Sequence, residues 1–200
     1  MGYNIDSLTE DCYPNSTVLI NKLGIQNQKQ LDEIELAMAS IKSIELELSE
    51  LPQEMNFQYY KKIHAYMFGE LYEWAGTARK INMAKKQTNF CPYEEIEHVG
   101  ESIFNRLKKE DYFKDCNQNE FVASIADFYD SLNYLHPFRE GNGRCQRLFF
   151  TLLSRKCGYE LKFGEMDSDE LMIATIQASS GVLDNLVDLF RRNIVQIEKS

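Results

Sequence analysis

One short segment of the 200-residue chain, residues 136–147 (HPFREGNGRCQR), combines residue types that can carry out chemistry on phosphates. It lies between two apolar helical segments, so we expect a tight loop that enters a helix. Gly141 and Gly143 flank Asn142 and permit unusual backbone angles, which let successive amide N–H groups converge on one point. Unpaired N–H groups and the helix dipole already favour negative charge at a helix N-terminus, so this loop predicts an anion-binding site.

The charged side chains of the segment point to the same chemistry. Arg144 and Arg147 are three residues apart on the expected helix, so both guanidinium groups are expected to reach one anion. Glu140 is a hard oxygen ligand of the kind that holds Mg²⁺ together with substrate phosphates. His136 is the natural proton acceptor at neutral pH, because the pKa of a free histidine is about 6.5. Together these residues indicate phosphoryl or nucleotidyl transfer to a hydroxyl group.

Each of these features is common for structural reasons when it occurs alone. A histidine at a helix end is usually a cap or a surface residue, and a Gly-Asn-Gly sequence is usually a turn. An arginine pair three residues apart usually lies on a solvated face. Their occurrence together within one short segment is what favours the functional interpretation.

The composition of the chain limits the partners of such a site. The 31 acidic and 22 basic side chains give a net charge of −9, which disfavours binding to nucleic acid or to anionic membranes. Residues 136–150 nevertheless contain three arginines and one glutamate, so basic charge is concentrated there. The five cysteines include no CxxC pair and predict no zinc site. Their odd number, without a signal-like N-terminus, predicts a cytoplasmic protein.

The elements that must position the segment are predicted to be helices, because apolar residues recur mainly at steps of three and four. In the first helix, one apolar stripe is formed by Leu31, Ile34, Met38, Ile41, Ile44 and Leu48. A short β-hairpin is expected over about 79–90, with Lys85 and Lys86 at its turn. The expected helices span about 27–48, 56–74, 92–107, 117–136, 142–158 and 167–178, followed by an amphipathic segment over 186–197. The sequence therefore predicts a single all-α domain over 1–200 with one inserted hairpin.

The segment HPFREGNGRCQR resembles the Fic-family signature HPFx(D/E)GNGRxxR at every specified position. The stretch from Ile63 to Gly76, IHAYMFGELYEWAG, is also similar to Fic proteins, as are the hairpin and the helices around the motif. The resemblance covers most of the chain and implies a compact, stand-alone bacterial Fic domain. It identifies the hairpin over 79–90 as the flap beside the active-site loop of a Fic-type helical bundle.

The resemblance implies a protein adenylyltransferase, which transfers AMP from ATP to a serine, threonine or tyrosine hydroxyl of another protein and releases pyrophosphate. His136 would take the proton of that hydroxyl, and Glu140 would hold Mg²⁺ across the α- and β-phosphates. The other implied roles are phosphate binding by Gly141, Asn142, Gly143, Arg144 and Arg147, core packing by Phe138 and adenine binding by Gln177.

The resemblance also implies protein partners. The flap is expected to bind a segment of the target by strand addition, and stand-alone bacterial relatives suggest DNA gyrase or topoisomerase IV subunits as targets. Many relatives carry an inhibitory (S/T)xxxE(G/N) helix. The nearest match, Ser43 to Glu47, is followed by Leu48 and is interpreted as part of an ordinary amphipathic helix. The implied protein is thus the toxin of a toxin–antitoxin pair, with a separate small antitoxin whose glutamate docks on Arg147.

Two alternatives remain open at this point. Some Fic proteins transfer UMP, phosphocholine or a phosphoryl group. The kinase-like members replace the glycine-rich segment that this sequence keeps, so AMP transfer is favoured. A non-catalytic nucleotide-binding module would keep the same fold, but it would have no need of His136.

Overall fold

The computed structural model describes residues 4–5, 10–85 and 88–198. These residues contain seven α-helices: α1 (Gln28–Glu47), α2 (Phe57–Phe68), α3 (Ile96–Lys109), α4 (Gln118–Leu135), α5 (Asn142–Lys156), α6 (Ser168–Ala178) and α7 (Asp184–Arg192). They also contain five short strands: β1 (Asn4–Ile5), β2 (Met83–Lys85), β3 (Thr88–Asn89), β4 (Tyr159–Leu161) and β5 (Ile194–Gln196). No helix of the described part is long and apolar enough to span a bilayer.

Side-chain caps fix the starts of three helices where the sequence predicts them. The side chain of Asn56 accepts a hydrogen bond from the Tyr59 amide at the start of α2. Asn117 and Glu120 form the capping box of α4, and the side chain of Asp167 accepts hydrogen bonds from the Asp169 and Glu170 amides at the start of α6. The predicted all-α architecture is therefore confirmed, and the caps explain why the helices begin at these positions.

The hairpin predicted over 79–90 is confirmed as the antiparallel pair β2 and β3. Ala84 pairs with Asn89, and Lys85 pairs with Thr88. The expected turn residue Lys86 lies outside the described residues. The other edge of β2 pairs with β1, so the hairpin belongs to a three-stranded sheet in the order β1-β2-β3.

Two predicted segments differ from the structure. The helix expected over 56–74 ends at Phe68, because Gly69 disfavours helix continuation and the chain then passes through successive turns. The amphipathic segment over 186–197 is helical only as far as Arg192. Its last part is β5, which pairs antiparallel with β4. This pairing joins residues more than 30 positions apart, so local periodicity could not indicate it.

An aromatic core between α2, α3, α4 and α5 holds the start of α5 in place. Tyr60, Phe128 and Phe149 are fully buried. Phe149 packs edge to face against Tyr60 at 5.4 Å and against Phe104 at 5.5 Å, an arrangement that aromatic rings favour. The loop between α4 and α5 is thereby anchored to a rigid base.

Candidate functional site

The loop that joins α4 to α5 reverses the chain through two residues in left-handed conformations. His136 caps the C-terminus of α4 with φ 39° and ψ 59°. The following residue, Pro137, disfavours the right-handed α conformation at His136, which explains why the helix ends there as predicted. Gly141 precedes α5 with φ 78° and ψ 2°.

Asn142 holds this loop closed through its side chain. Its Oδ1 accepts from the Phe138 amide at 2.8 Å, and its Nδ2 donates to the Phe138 carbonyl at 2.7 Å. Phe138 is fully buried, so its predicted packing role is confirmed. Because the side chain of Asn142 is used in this way, only its backbone N–H can contribute to the predicted anion cradle. That N–H and the amide of Gly143 lie in the first turn of α5, where no intrahelical acceptor exists.

His64 supports the loop from α2, a role that the sequence did not reveal. Its Nδ1 accepts from the Gly76 amide at 2.9 Å, so the ring proton is on Nε2, which donates to the Glu140 carbonyl at 2.9 Å. The ring is fully buried and stacks on Phe138 with centroids 3.8 Å apart. Burial lowers the pKa of His64 to about 4, so the imidazole is neutral at physiological pH.

Gly141→Ala tests how tightly the loop is packed. A Cβ at Gly141 would lie 2.5 Å from the Phe68 ring, in addition to the strain of φ +78°. Gly158→Ala is the matched control, because its φ is +82° and nothing lies within 4 Å of the added Cβ. Urea unfolding should show a loss of about 1 kcal/mol for the control and at least ~2 kcal/mol more for Gly141→Ala. Equal losses of unfolding free energy in the two variants would show that the close contact with Phe68 does not affect stability.

The neutral state of His64 predicts a pH-dependent stability. Below pH 6.5 the unfolded chain binds a proton at this histidine, but the folded protein does so only near pH 4. His64 should therefore contribute a loss of stability as the pH is lowered through this window, of ~2 kcal/mol between pH 7 and pH 5. His64→Gln removes the titration, so urea unfolding at both pH values should show a smaller pH-dependent loss in the variant. An identical pH dependence in both proteins would contradict this assignment.

A cleft of about 190 Å³ opens beside the loop. Two elements of the predicted site meet in it, because His136 at the end of α4 and Arg147 on α5 both line it. Further lining residues are Lys85 and Phe90 from the flap, Tyr129 and Asn133 from α4, Gly143 and Gln146 from α5, Ser168, Leu171, Met172, Thr175 and Ile176 from α6, and Ser179 directly after α6. The lining therefore combines apolar side chains with hydroxyl, amide and basic groups.

The imidazole of His136 is covered by the flap. The ring of Phe90 stacks on it with centroids 3.7 Å apart and an interplanar angle of 8°. Burial, together with the positive charges of Arg79 and Lys85, lowers the pKa of His136 to about 3, although a hydrogen bond with the Asn133 backbone raises it in part. His136 is therefore neutral at physiological pH and able to accept a proton.

The structure separates the two arginines that their spacing places together. Arg147 lines the cleft and, within the described part of the chain, forms no ion pair. Arg144 lies outside the cleft lining and binds a carboxylate of α1, that of Glu35. Its guanidinium also lies 3.5 Å from Oε1 of Glu140 and 5.0 Å from the Phe68 ring centre. Of these two arginines, Arg147 thus shares the cleft lining with His136, and Arg144 does not.

Glu35 is a buried carboxylate that the sequence interpretation missed. It is 7% exposed, and its two oxygens bind Arg144 and the Tyr72 hydroxyl. Burial and the Glu35 carboxylate raise the pKa of Tyr72, so this hydroxyl keeps its proton and donates it. Its burial could have been inferred from its spacing on the helix. Glu35 lies four residues from both Leu31 and Ala39, which are the buried apolar residues of α1, so the three share one helix face.

Glu140 has the environment of a candidate metal ligand. Its Oε1 accepts from the Gly141 amide at 2.8 Å, which leaves Oε2 outside the hydrogen bonds of the loop. Burial raises the pKa of Glu140, the Gly141 amide lowers it, and the neighbouring Glu35 raises it. No cluster of three metal-ligating side chains occurs among the described residues. A single carboxylate suits Mg²⁺, which commonly binds through one or two carboxylates plus substrate phosphates.

Gln177 does not line the cleft, although its neighbours Ile176 and Ser179 do. Its Oε1 accepts a hydrogen bond from Nδ2 of Asn185 at 2.7 Å, which ties α6 to α7. Gln177 thus has a structural contact with α7, and its adenine contact stays a prediction. Similarly, Glu47 pairs with Arg155 at 2.8 Å, which agrees with the structural interpretation of the segment from Ser43 to Glu47.

Comparison with known proteins identifies relatives of this site and fold. The model of the Fic/DOC family matches residues 54–154. The probable protein adenylyltransferase y4lH of Sinorhizobium fredii is 37% identical over 92% of this chain and 94% of its own length. Protein adenylyltransferase VbhT of Bartonella schoenbuchensis is 36% identical over 92% of this chain, which spans only 38% of that protein.

A solved structure shows the same architecture. The N-terminal Fic domain of a VirB-translocated Bep effector protein from Bartonella quintana, solved with bound ADP, superimposes with a TM-score of 0.88. Its sequence is 26% identical, and the match covers 94% of this chain and 95% of the other. The arrangement of helices and hairpin is therefore shared along nearly the whole length of both chains.

Proposed function

Because the chain belongs to the Fic/DOC family, we propose that it is a protein adenylyltransferase, which transfers AMP from ATP to a hydroxyl group of another protein. The observation that carries the proposal is the cleft in which the neutral imidazole of His136 and the guanidinium of Arg147 face the same space. The names of the relatives and the ADP bound to a similar Fic domain support it.

His136 acts as the general base of the proposed reaction. The target hydroxyl oxygen attacks the α-phosphorus of ATP, and the bond from that phosphorus to the bridging oxygen of the β-phosphate breaks. The hydroxyl proton passes to the imidazole, and pyrophosphate leaves with the electron pair of the broken bond. Positioned proton transfer of this kind contributes about 10²- to 10⁴-fold to a rate.

The first turn of α5 binds the phosphates in this proposal. The amides of Asn142 and Gly143 supply N–H groups at the positive end of the helix dipole, and Arg147 supplies a guanidinium fork. The apolar side chains that α6 contributes to the cleft, among them Leu171 and Met172, suit the adenine base. Arg144 assists from outside the cleft lining, through its contact with Glu140.

Mg²⁺ is the proposed metal, held by Glu140 together with the α- and β-phosphates, where it would neutralise charge on the phosphates when bound. The fit rests on the lone carboxylate beside the helix terminus, whose Oε1 is fixed by the Gly141 amide. We expect Glu140 to be ionised when it holds the metal, since a nearby cation lowers the pKa of a carboxyl.

We further propose protein partners and a location. The flap binds a segment of the target by strand addition along β3, because both edges of β2 are already paired, and subunits of DNA gyrase or topoisomerase IV are the proposed targets. A separate small antitoxin is proposed to place a glutamate on Arg147, whose guanidinium pairs with no carboxylate of the described residues. The site of action is proposed to be the cytoplasm.

Labelled ATP tests the proposed reaction. The purified chain is incubated with a bacterial lysate and Mg²⁺, and with ATP labelled at either the α- or the γ-phosphate. Protein labelling by α-labelled ATP alone is expected. Labelling by γ-labelled ATP would show phosphoryl transfer instead. Nucleotide binding without any protein labelling would favour a non-catalytic module, and labelling from UTP in place of ATP would assign another donor.

A further inference from the structure

Arg79 is a buried arginine that joins three parts of the site through its side chain. It is 4% exposed and is the first residue of the flap. Its Nε donates to the His136 carbonyl at 2.9 Å. Its Nη1 and Nη2 donate to the carbonyls of Ile81 and Cys91, both at 2.6 Å. The backbone amide of Arg79 also donates to the Pro137 carbonyl at 2.8 Å.

The two carbonyls bound by Nη1 and Nη2 lie at the two ends of the flap. Ile81 precedes β2, and Cys91 follows β3. The Cys91 amide makes a second connection to α4 by donating to the Tyr134 carbonyl at 2.8 Å. Between Cys91 and β3 lies Phe90, whose ring stacks on His136. One guanidinium therefore links both ends of the flap to the backbone of the proposed base.

An arginine is unusual at this position on energetic grounds. Arg79 has no carboxylate partner among the described residues, so burial of its charge is offset only by hydrogen bonds to carbonyl oxygens. Burial correspondingly lowers the pKa of Arg79. An apolar side chain would fill the same space without this cost. The planar guanidinium group of arginine, however, carries N–H donors in fixed directions, so it can bind three carbonyls and hold them in a defined geometry.

The carbonyl bound by Nε belongs to a residue whose backbone is strained. His136 has φ 39°, a left-handed conformation that costs a residue with a Cβ about 1–2 kcal/mol. Such a conformation persists only where its surroundings hold it. The hydrogen bond from Arg79 is one of the contacts that hold it.

We propose that Arg79 is a positioning residue, which fixes the backbone of His136 and both ends of the flap as one unit. A target segment that binds the flap is then placed at a defined distance from the imidazole. This inference rests on the proposed adenylyl transfer, because it assigns how the base and the target hydroxyl are aligned. Arg79 lies outside the lining of the cleft, so it does not itself contact nucleotide.

Arg79→Met and Arg79→Lys test the proposal, with Arg155→Met as the matched control. Arg155 is also partly buried and hydrogen-bonded through its fork, but its partner Glu47 is remote from the cleft. The measurements are the labelling of lysate proteins by α-labelled ATP and the affinity for ADP. We expect Arg79→Met to label about 100-fold more slowly, since small misplacements of reacting groups cost about this much. ADP affinity should stay within about threefold, and Arg79→Lys should recover part of the rate.

A measurement that needs no activity separates this inference from the proposed function. In the folded protein, the stacked Phe90 ring should displace the proton resonances of the His136 ring, which are identified by their loss in His136→Ala. Arg79→Met should move these resonances towards the positions of an unstacked histidine. Unchanged resonances, an unchanged labelling rate, or equal losses of labelling and ADP affinity would each overturn the positioning role. A wild-type protein that labels nothing would overturn the proposed function instead.

Discussion

Replacing His136 by alanine is expected to lower the rate of AMP transfer by about a thousandfold, because the target hydroxyl then loses its proton acceptor. ATP affinity should remain nearly unchanged, since the amides of α5 and Arg147 stay in place. The rate is measured as protein labelling by α-labelled ATP, and affinity is measured by calorimetry. His98→Ala is the matched control, because His98 is exposed on α3 and does not line the cleft.

The contrast between rate and affinity is what identifies a base. A loss of both would show that His136 acts by holding the loop, for which its left-handed backbone and its stacking on Phe90 already give a structural reason. Transfer that survives the substitution would show that another group accepts the proton. A pH profile adds a second test: activity should not fall through protonation of His136 until the pH approaches about 3, the pKa of the buried imidazole.

Arg147→Ala is expected to affect ATP binding, whereas Arg144→Ala is expected to affect the stability of the fold. Arg147→Ala should weaken ATP binding about 10- to 100-fold, the range for losing a hydrogen bond to a charged group, and should leave the fold intact. Arg144→Ala should chiefly destabilise the protein, by about 3 kcal/mol, because it leaves the buried Glu35 without its cation. Both are measured in a His136→Ala background, so that ATP is not consumed, by calorimetry and urea unfolding.

The double variant Glu35→Gln with Arg144→Ala is the control for the second effect. Removing the buried charge together with its partner should restore most of the lost stability, because no uncompensated carboxylate then remains. If Arg144→Ala instead weakened ATP binding as much as Arg147→Ala, without loss of stability, the two arginines would act on one anion as their spacing suggested.

The site was predictable from sequence to the extent that its residues are contiguous. The segment from His136 to Arg147 contains the proposed base, the candidate metal ligand, the loop glycines and the start of α5 within one loop and the first two helical turns. Its local geometry follows from strong local rules, such as the effect of Pro137 on the preceding residue and the freedom of Gly141. These rules do not depend on the rest of the fold.

The supporting residues were not predictable, because they come from distant parts of the chain. Glu35 reaches Arg144 across 109 positions, and Arg79 reaches His136 across 57. His64 reaches Glu140 across 76. Only tertiary packing brings these groups together, and nothing in the local pattern of an isolated arginine or histidine distinguishes a buried hydrogen-bonding role from an exposed one.

The apolar stripe of α1 does not coincide with the buried face of that helix. The stripe runs from Leu31 to Leu48, but Ile41 and Ile44 are 57% and 59% exposed and Leu48 is 83% exposed. The buried face instead follows Leu31, Glu35 and Ala39. Glu35 can occupy a buried position there because its charge is paired with that of Arg144. A hydrophobicity pattern along the sequence does not reveal such a pair.

The net charge of the chain limits its partners, and the position of the basic residues makes that limit more specific. The −9 of the chain disfavours extended polyanions, which feel the whole field. At the cleft, however, Lys85 and Arg147 lie beside the positive end of α5. Local charge therefore suits a small bound phosphate compound even in an acidic protein.

The most direct test of the account is mass-spectrometric mapping of AMP on the proteins of bacterial cells that express the wild-type chain or His136→Ala. The account predicts AMP on serine, threonine or tyrosine hydroxyls of particular proteins with the wild type, and none above background with the variant. Equal AMP modification in both samples, or a different transferred group in the wild type, would contradict it.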